Sequence, residues 1–247
     1  MERRSFWSAV LALPGALGML SACKEGGVQT NPGAGEDYAT ERERMVAEQL
    51  IARGIRDERV LAAMRKVPRH RFVPPGERAS ACVDRPLSIG HGQTISQPFV
   101  VAFMSQTLAL DGSERVLDVG TGSGYQAAIL AELAREVWSI EIVAPLAELA
   151  AERLRELGFG NVHVRSGDGY LGWPEHAPFD AILVAAAPDH VPETLVEQLA
   201  PGGRMILPVG KEEQDLVFLR KTASGIVREE VLPVRFVPMT GLAEGRR

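Results

Sequence analysis

The stretch Val116-Leu-Asp-Val-Gly-Thr-Gly-Ser-Gly-Tyr125 constrains what this chain can fold into more than any other. Its first four residues read as the end of a buried strand. Gly120, Gly122 and Gly124 then alternate through a tight turn, and Tyr125 to Leu133 has helical periodicity. A strand that passes through a Gly-rich turn into a helix N-terminus suits a nucleotide-like cofactor, because backbone without Cβ atoms can approach the ligand. The spacing narrows the ligand further. A dinucleotide fingerprint is G-x-G-x-x-G, whereas the order here is D-x-G-x-G-x-G, with Asp118 two residues ahead of the first Gly. A carboxylate at that strand end would repel pyrophosphate and suits the cationic amino group and sulfonium of S-adenosylmethionine. Glu141 closes the next apolar run, Val137-Trp-Ser-Ile-Glu141, where an acidic side chain can accept from both ribose hydroxyls.

The rest of the chain alternates in the same sense. Strands are predicted over 115–119, 136–141, 162–166, 179–185 and 204–209, with helices over 124–135, 145–157 and 192–199 between them. This alternation implies an α/β, Rossmann-like fold built on a mostly parallel sheet covered on both faces. Leu216 to Lys221 and Val227 to Val237 read as an antiparallel C-terminal hairpin at the sheet edge, joined at Ser224-Gly225. Upstream, helices are predicted over 41–53, from Asp57 to Pro68, and from Pro98 to about Leu110. Between the second and third lies an irregular stretch, 70–97. An unstructured segment of that length inside a compact domain is usually functional.

The 247 residues therefore divide into three parts. Residues 1–23 have a basic start at Arg3 and Arg4, an apolar run from Phe6 to Leu20, and Leu20-Ser-Ala-Cys23, which resembles the lipobox of bacterial lipoproteins. Arg3-Arg-Ser-Phe6 also resembles a twin-arginine export signal. Residues 24–39 read as a flexible tether, and residues 40–247 form the domain, with a helical subregion over 40–110. The expected location is a periplasmic, membrane-anchored lipoprotein held through Cys23, or the cytoplasm if translation starts at Met45. A net charge of −5 argues against nucleic-acid binding. No His/Cys cluster has metal-ligand spacing, so no metal is expected.

Taken together, these residues resemble the bacterial form of the protein-L-isoaspartate (D-aspartate) O-methyltransferase family over about Met45 to Gly241. The segment Gly90-His-Gly-Gln-Thr-Ile-Ser-Gln-Pro98 is the most specific match. Gly167-Asp-Gly169, Pro178-Phe-Asp-Ala-Ile182, Pro201-Gly-Gly-Arg204 and Arg235-Phe-Val-Pro-Met239 add to it. The resemblance implies methyl transfer from S-adenosylmethionine to the free α-carboxylate of L-isoaspartyl residues, followed by collapse to a succinimide that returns some normal aspartate. The expected partners are damaged proteins and peptides, and the expected state is a monomer. It also implies Ser96 as the active-site residue, Thr94 beside the methionine part of the cofactor, and Asp168 with Gly169 beside the adenine. From spacing alone, the favoured reading of Ser96 is a cap of the helix that Pro98 opens, and the resemblance reverses that preference. Small residues at Ala185-Ala-Ala187 would let an extended substrate peptide run alongside. The competing readings are a methyltransferase acting on a small-molecule carboxylate, a non-catalytic binding module on the same fold, and a nicotinamide oxidoreductase disfavoured by the glycine spacing.

Overall fold

The computed structural model describes residues 38–245. The signal-like segment ending at Cys23 and nearly all of the expected tether lie outside the described residues. Tyr38 and Ala39 do not belong to a tether. They open the first helix, α1 (Tyr38–Met45), where the Tyr38 ring stacks on His70 with centroids 3.9 Å apart.

The predicted first helix continues past Met45, as a π turn over Val46–Leu50 and a 3-10 turn over Ile51–Arg53, and stops at Gly54 with φ of 95°. The second, α2 (Glu58–Lys66), starts where expected: Asp57 accepts from the N–H groups of Arg59 and Val60. The third, α3 (Pro98–Thr107), opens on its proline. The intervening stretch is more ordered than the sequence suggests. It holds two 3-10 turns and a hairpin, β1 (Leu87–Gly90) with β2 (Gln93–Ile95), which pair antiparallel with Ser88 opposite Thr94. Gly90, His91 and Gly92 make its turn, all three with positive φ. The hairpin places Thr94 on a braced ribbon and Ser96 just past its end.

The main sheet comprises β3 (Arg115–Val119), β4 (Glu136–Glu141), β5 (Val162–Ser166), β6 (Phe179–Val184), β7 (Leu199–Gly210), β8 (Gln214–Thr222) and β9 (Gly225–Val234). Their order is β5-β4-β3-β6-β7-β8-β9, parallel from β5 to β7 and antiparallel for the last two pairings. This is the predicted Rossmann-like methyltransferase fold with its C-terminal hairpin. The helices α4 (Tyr125–Leu133), α5 (Ala144–Glu156) and α6 (Glu193–Glu197) follow β3, β4 and β6. Alternation along each strand feeds two cores. Val116 and Val137 join the side chains of α2, α3 and α4, whereas Leu117, Val119 and Ile140 join Tyr170, Leu195 and Met239. Asp118 and Ser139 share the first of these faces by parity, a placement that decides their role.

Candidate active site

The Gly-rich turn closes β3 as expected. Gly120, Gly122 and Gly124 have φ of 93°, 52° and 90°, a region other residues enter only with strain. The turn also satisfies its own donors. Gly120 and Thr121 N–H donate to Ile140 O, Gly124 N–H donates to Thr121 O, and Gly122 N–H donates to Glu141 Oε2 at 2.7 Å. A phosphate-binding turn points those groups at its ligand, and this one has spent them on the protein.

A cleft of about 810 Å³ of empty space, counted to its open mouth, sits above the turn. Its walls include Thr94, Ser96, Glu141 and Gly169, and its lining holds one carboxylate and no Lys, Arg or His. Such a lining fits a cationic nucleoside ligand and does not fit a pyrophosphate. Glu141 Oε1 accepts from Val143 N–H at 2.9 Å, so each of its oxygens is held by backbone with lone pairs to spare. Gly169 is required by close approach: a Cβ there would fall well inside contact distance of Val119 Cγ1.

Two predicted cofactor ligands sit elsewhere. Asp118 is 0% exposed and does not line the cleft. It lies beneath the turn, where its Oδ2 accepts from Ser139 Oγ at 2.7 Å. Ser139 Oγ is in turn 2.6 Å from Thr121 Oγ1, and Thr121 does line the cleft. Burial pushes the Asp118 carboxyl up to about 7, against the Ser139 hydrogen bond, with the nearby charge of Glu141 raising it further. Its Oδ1 is buried with no hydrogen-bond partner among the described residues. Asp168 does not line the cleft either. Its Oδ1 accepts from Tyr170 N–H at 2.9 Å and its Oδ2 from Leu242 N–H at 2.8 Å. It fastens the C-terminal segment, whose residues Val237 to Thr240 form one wall of the cleft.

Ser96 stands where the cleft meets a second groove, which it shares with Thr94, Ala185 and Val237. It does not cap α3. The residue before Pro98 is Gln97, with no side-chain cap bond, and the Phe99 N–H donates instead to Asp84 Oδ1 at 3.1 Å. Ser96 lines both cavities, and its hydroxyl has no hydrogen-bond partner among the described residues. Its carbonyl accepts from Arg69 Nη2 at 2.7 Å, and Arg69 Nε donates to Ala81 O at 2.7 Å. Arg69 is 0% exposed and its guanidinium lies 4.6 Å from the Tyr125 ring centroid. It ties Ser96 to the first residue of α4, and as one member of the basic run Arg69-His-Arg71 it gave no sign of this in the sequence.

The small residues after β6 do accommodate an extended strand, but it is the chain's own. Ala187 N–H donates to Val237 O and its carbonyl accepts from Met239 N–H, both at 2.8 Å. His91 is exposed in the hairpin turn, outside both cavities. Trp138 is core, packed against Phe179.

A cleft of this charge above a self-satisfied Gly-rich turn, at the carboxyl end of a mostly parallel sheet, defines a Rossmann-like methyltransferase. The model of the family described as protein-L-isoaspartate(D-aspartate) O-methyltransferase matches residues 41–244, and the chain belongs to that family. A protein-L-isoaspartate O-methyltransferase of Anaeromyxobacter dehalogenans is 62% identical over 203 residues, covering 81% of this chain and 97% of its own. Protein-L-isoaspartate O-methyltransferase 2 of another Anaeromyxobacter strain is 55% identical over 97% of this chain and 98% of its own. Among solved structures, a Plasmodium falciparum chain assigned to the same enzyme type, in complex with S-adenosyl-L-homocysteine, superposes with a TM-score of 0.70. It is 26% identical over 83% of this chain and 99% of that one.

Proposed function

We infer that this chain transfers a methyl group from S-adenosylmethionine to the free α-carboxylate of L-isoaspartyl residues in proteins and peptides. The observation that carries the reading is the meeting of two cavities at Thr94 and Ser96: one with a single carboxylate and no cation, the other largely apolar with two arginines and no carboxylate. The names of the relatives support the substrate.

When bound, S-adenosylmethionine supplies an electrophilic methyl group on a cationic sulfur. The glycines of the turn and Gly169 give it close backbone, Glu141 offers acceptors to ribose hydroxyls, and Thr94 stands at the end toward Ser96. Asp118 acts from below, through Ser139 and Thr121, and not as a direct ligand. The acceptor carboxylate is ionised near neutral pH, so no general base is needed. The Ser96 hydroxyl donates to it and orients it, and alignment of this kind can supply roughly 7–11 kcal/mol of barrier lowering. Val101, Val237 and Met239 line the cleft and exclude water from it. The methyl ester then leaves, and its own backbone nitrogen closes the succinimide without further help.

The test is transfer of labelled methyl to paired peptides that differ only in isoaspartate against aspartate. Base-labile label on the isoaspartyl peptide alone is the expected outcome. Binding of the cofactor with label on neither peptide would overturn the substrate, and small carboxylates would replace it.

Residues 1–23 extend the same reading. We propose that they direct export and that Cys23 is lipidated. The alignment with the Anaeromyxobacter relative supports a shared N-terminal segment, since 97% of this chain exceeds what residues 38–245 can supply.

A further inference from the structure

We propose that the groove beside Ser96 is a charge-reading subsite in which Arg53 and Arg235 favour isoaspartyl segments that carry a second, flanking carboxylate. This rests on the peptide substrate proposed above and specifies which peptides the site prefers.

The groove lies between residues 94–100 and residues 232–237. Its walls are largely apolar, with Pro86, Phe99, Leu232 and Phe236 among them, and its charged lining residues are Arg53 and Arg235, with no carboxylate. That composition runs against the chain, whose net charge is −5. It also runs against the adjoining cleft, where the one charged residue is Glu141.

The two guanidiniums are presented differently. Arg53 is pre-set. Its guanidinium lies over the Phe99 ring, 3.6 Å from the centroid, and pairs with Asp84. Asp84 also accepts from Gln97 Nε2 at 2.6 Å and from the Phe99 N–H, so its charge is shared among three donors. The Arg53 side chain remains 45% exposed and lines the groove. Arg235 is exposed and makes no ion pair among the described residues. An extended peptide advances about 3.3 Å per residue. A side chain near an isoaspartate held at Ser96 would share the groove that both cations line. A guanidinium matches a carboxylate in a bidentate fork, so Asp, Glu or a chain-terminal carboxylate is the group selected.

The experiment compares kcat/KM for isoaspartyl peptides bearing Glu, Gln or Lys at positions one to three on either side, at low and moderate salt. Partly exposed ion pairs are worth about two- to fivefold each, so the Glu peptide is expected to exceed its Gln twin by that factor on at least one side. The Lys peptide should fall below it, and the ratio should shrink with salt. Arg235→Gln and Arg53→Gln should each reduce the Glu/Gln ratio toward one, while Arg53→Lys keeps part of it. Equal kcat/KM for all three peptides, or a ratio that survives both Gln variants, overturns the proposal. Those outcomes leave methyl transfer to isoaspartate intact. Failure to label any isoaspartyl peptide would instead remove the reading on which the proposal rests.

Discussion

At the scale of the residue, the site separates into groups that face the ligand and groups that hold those groups. Ser96 faces it, with its hydroxyl released from capping by Asp84 and its carbonyl held by Arg69. Hydrogen bonds to a charged group are worth about 1.5–3 kcal/mol. Ser96→Ala is therefore expected to lower kcat/KM about 10- to 100-fold with little change in S-adenosylmethionine affinity, read by steady-state kinetics and calorimetry. If Arg69 acts through Ser96, Arg69→Lys in the Ser96→Ala background should cost less than it does alone. Fully additive losses would assign Arg69 a purely structural part. Asp118 carries a separate prediction. The folded chain holds its proton to about pH 7, against an ordinary value of 3.8. Between those values the folded state binds more protons than the unfolded one, so this group's contribution to stability is lost as pH rises through the window. The Tm of the wild type should fall more between pH 5 and pH 8 than that of Asp118→Asn, which does not titrate, and equal falls would place the dependence elsewhere. These residues also mark how far the sequence could be read. Gly120, Gly122, Gly124 and Glu141 are legible because a local turn dictates them. Asp118 and Asp168 are bonded to partners distant in sequence that the local pattern does not show, Ser139 for the first and Leu242 for the second.

At the scale of the element, the same division between local and distant causes recurs. The strands β3 to β6 and the helices between them follow from periodicity and caps, and their limits agree with the sequence to within about two residues. The hairpin of β1 and β2 was not legible, because short strands in a Gly- and Pro-rich stretch carry no alternation. Their pairing is fixed by Leu87 and Ile95, which are both buried in the first core. The strand β7 is longer than its apolar run because Leu199 pairs with Phe179 across a register shift before the regular ladder begins at Arg204. The packing of β3 against the 3-10 turn that follows Asp168 yields a prediction of its own. A Cβ at Gly169 would meet Val119 Cγ1, a β-branched side chain on a central strand with nowhere to turn. Overpacking of this kind costs about 1–3 kcal/mol, which for a domain of this size lowers Tm by roughly 2–4 °C per kcal/mol. Gly169→Ala should show that loss together with weaker cofactor binding, and Val119→Ala in the same chain should restore much of both. If Val119→Ala only adds to the damage, the contact is not the cause.

At the scale of the whole molecule, the question is where this chemistry happens. A start at Met45 would delete the rest of α1. That removes the stack of Tyr38 on His70, the bond from Arg42 Nε to Arg65 O at 2.7 Å, and the pairing of Glu43 with Arg65. A chain begun there should therefore be less stable than one begun at Tyr38, which thermal melting of the two would measure. Only a chain begun at Met1 carries the lipobox-like segment. No helix among the described residues is long and apolar enough to cross a membrane. Each methyl transfer consumes one S-adenosylmethionine, which is made in the cytosol. A folded protein exported with its cofactor bound would complete one turnover and stop. Export thus predicts an enzyme whose activity outside the cytosol is limited by methyl donor and not by catalysis. In cells treated with globomycin, which blocks lipoprotein signal cleavage, an uncleaved precursor should accumulate, and Cys23→Ser should abolish both maturation and sedimentation with membranes. Spheroplasts of the untreated strain should label an external isoaspartyl peptide only when S-adenosylmethionine is added to the medium. A protein found solely in the soluble cytosol, with no precursor under globomycin, would overturn the anchored form and leave an enzyme with an unlimited donor.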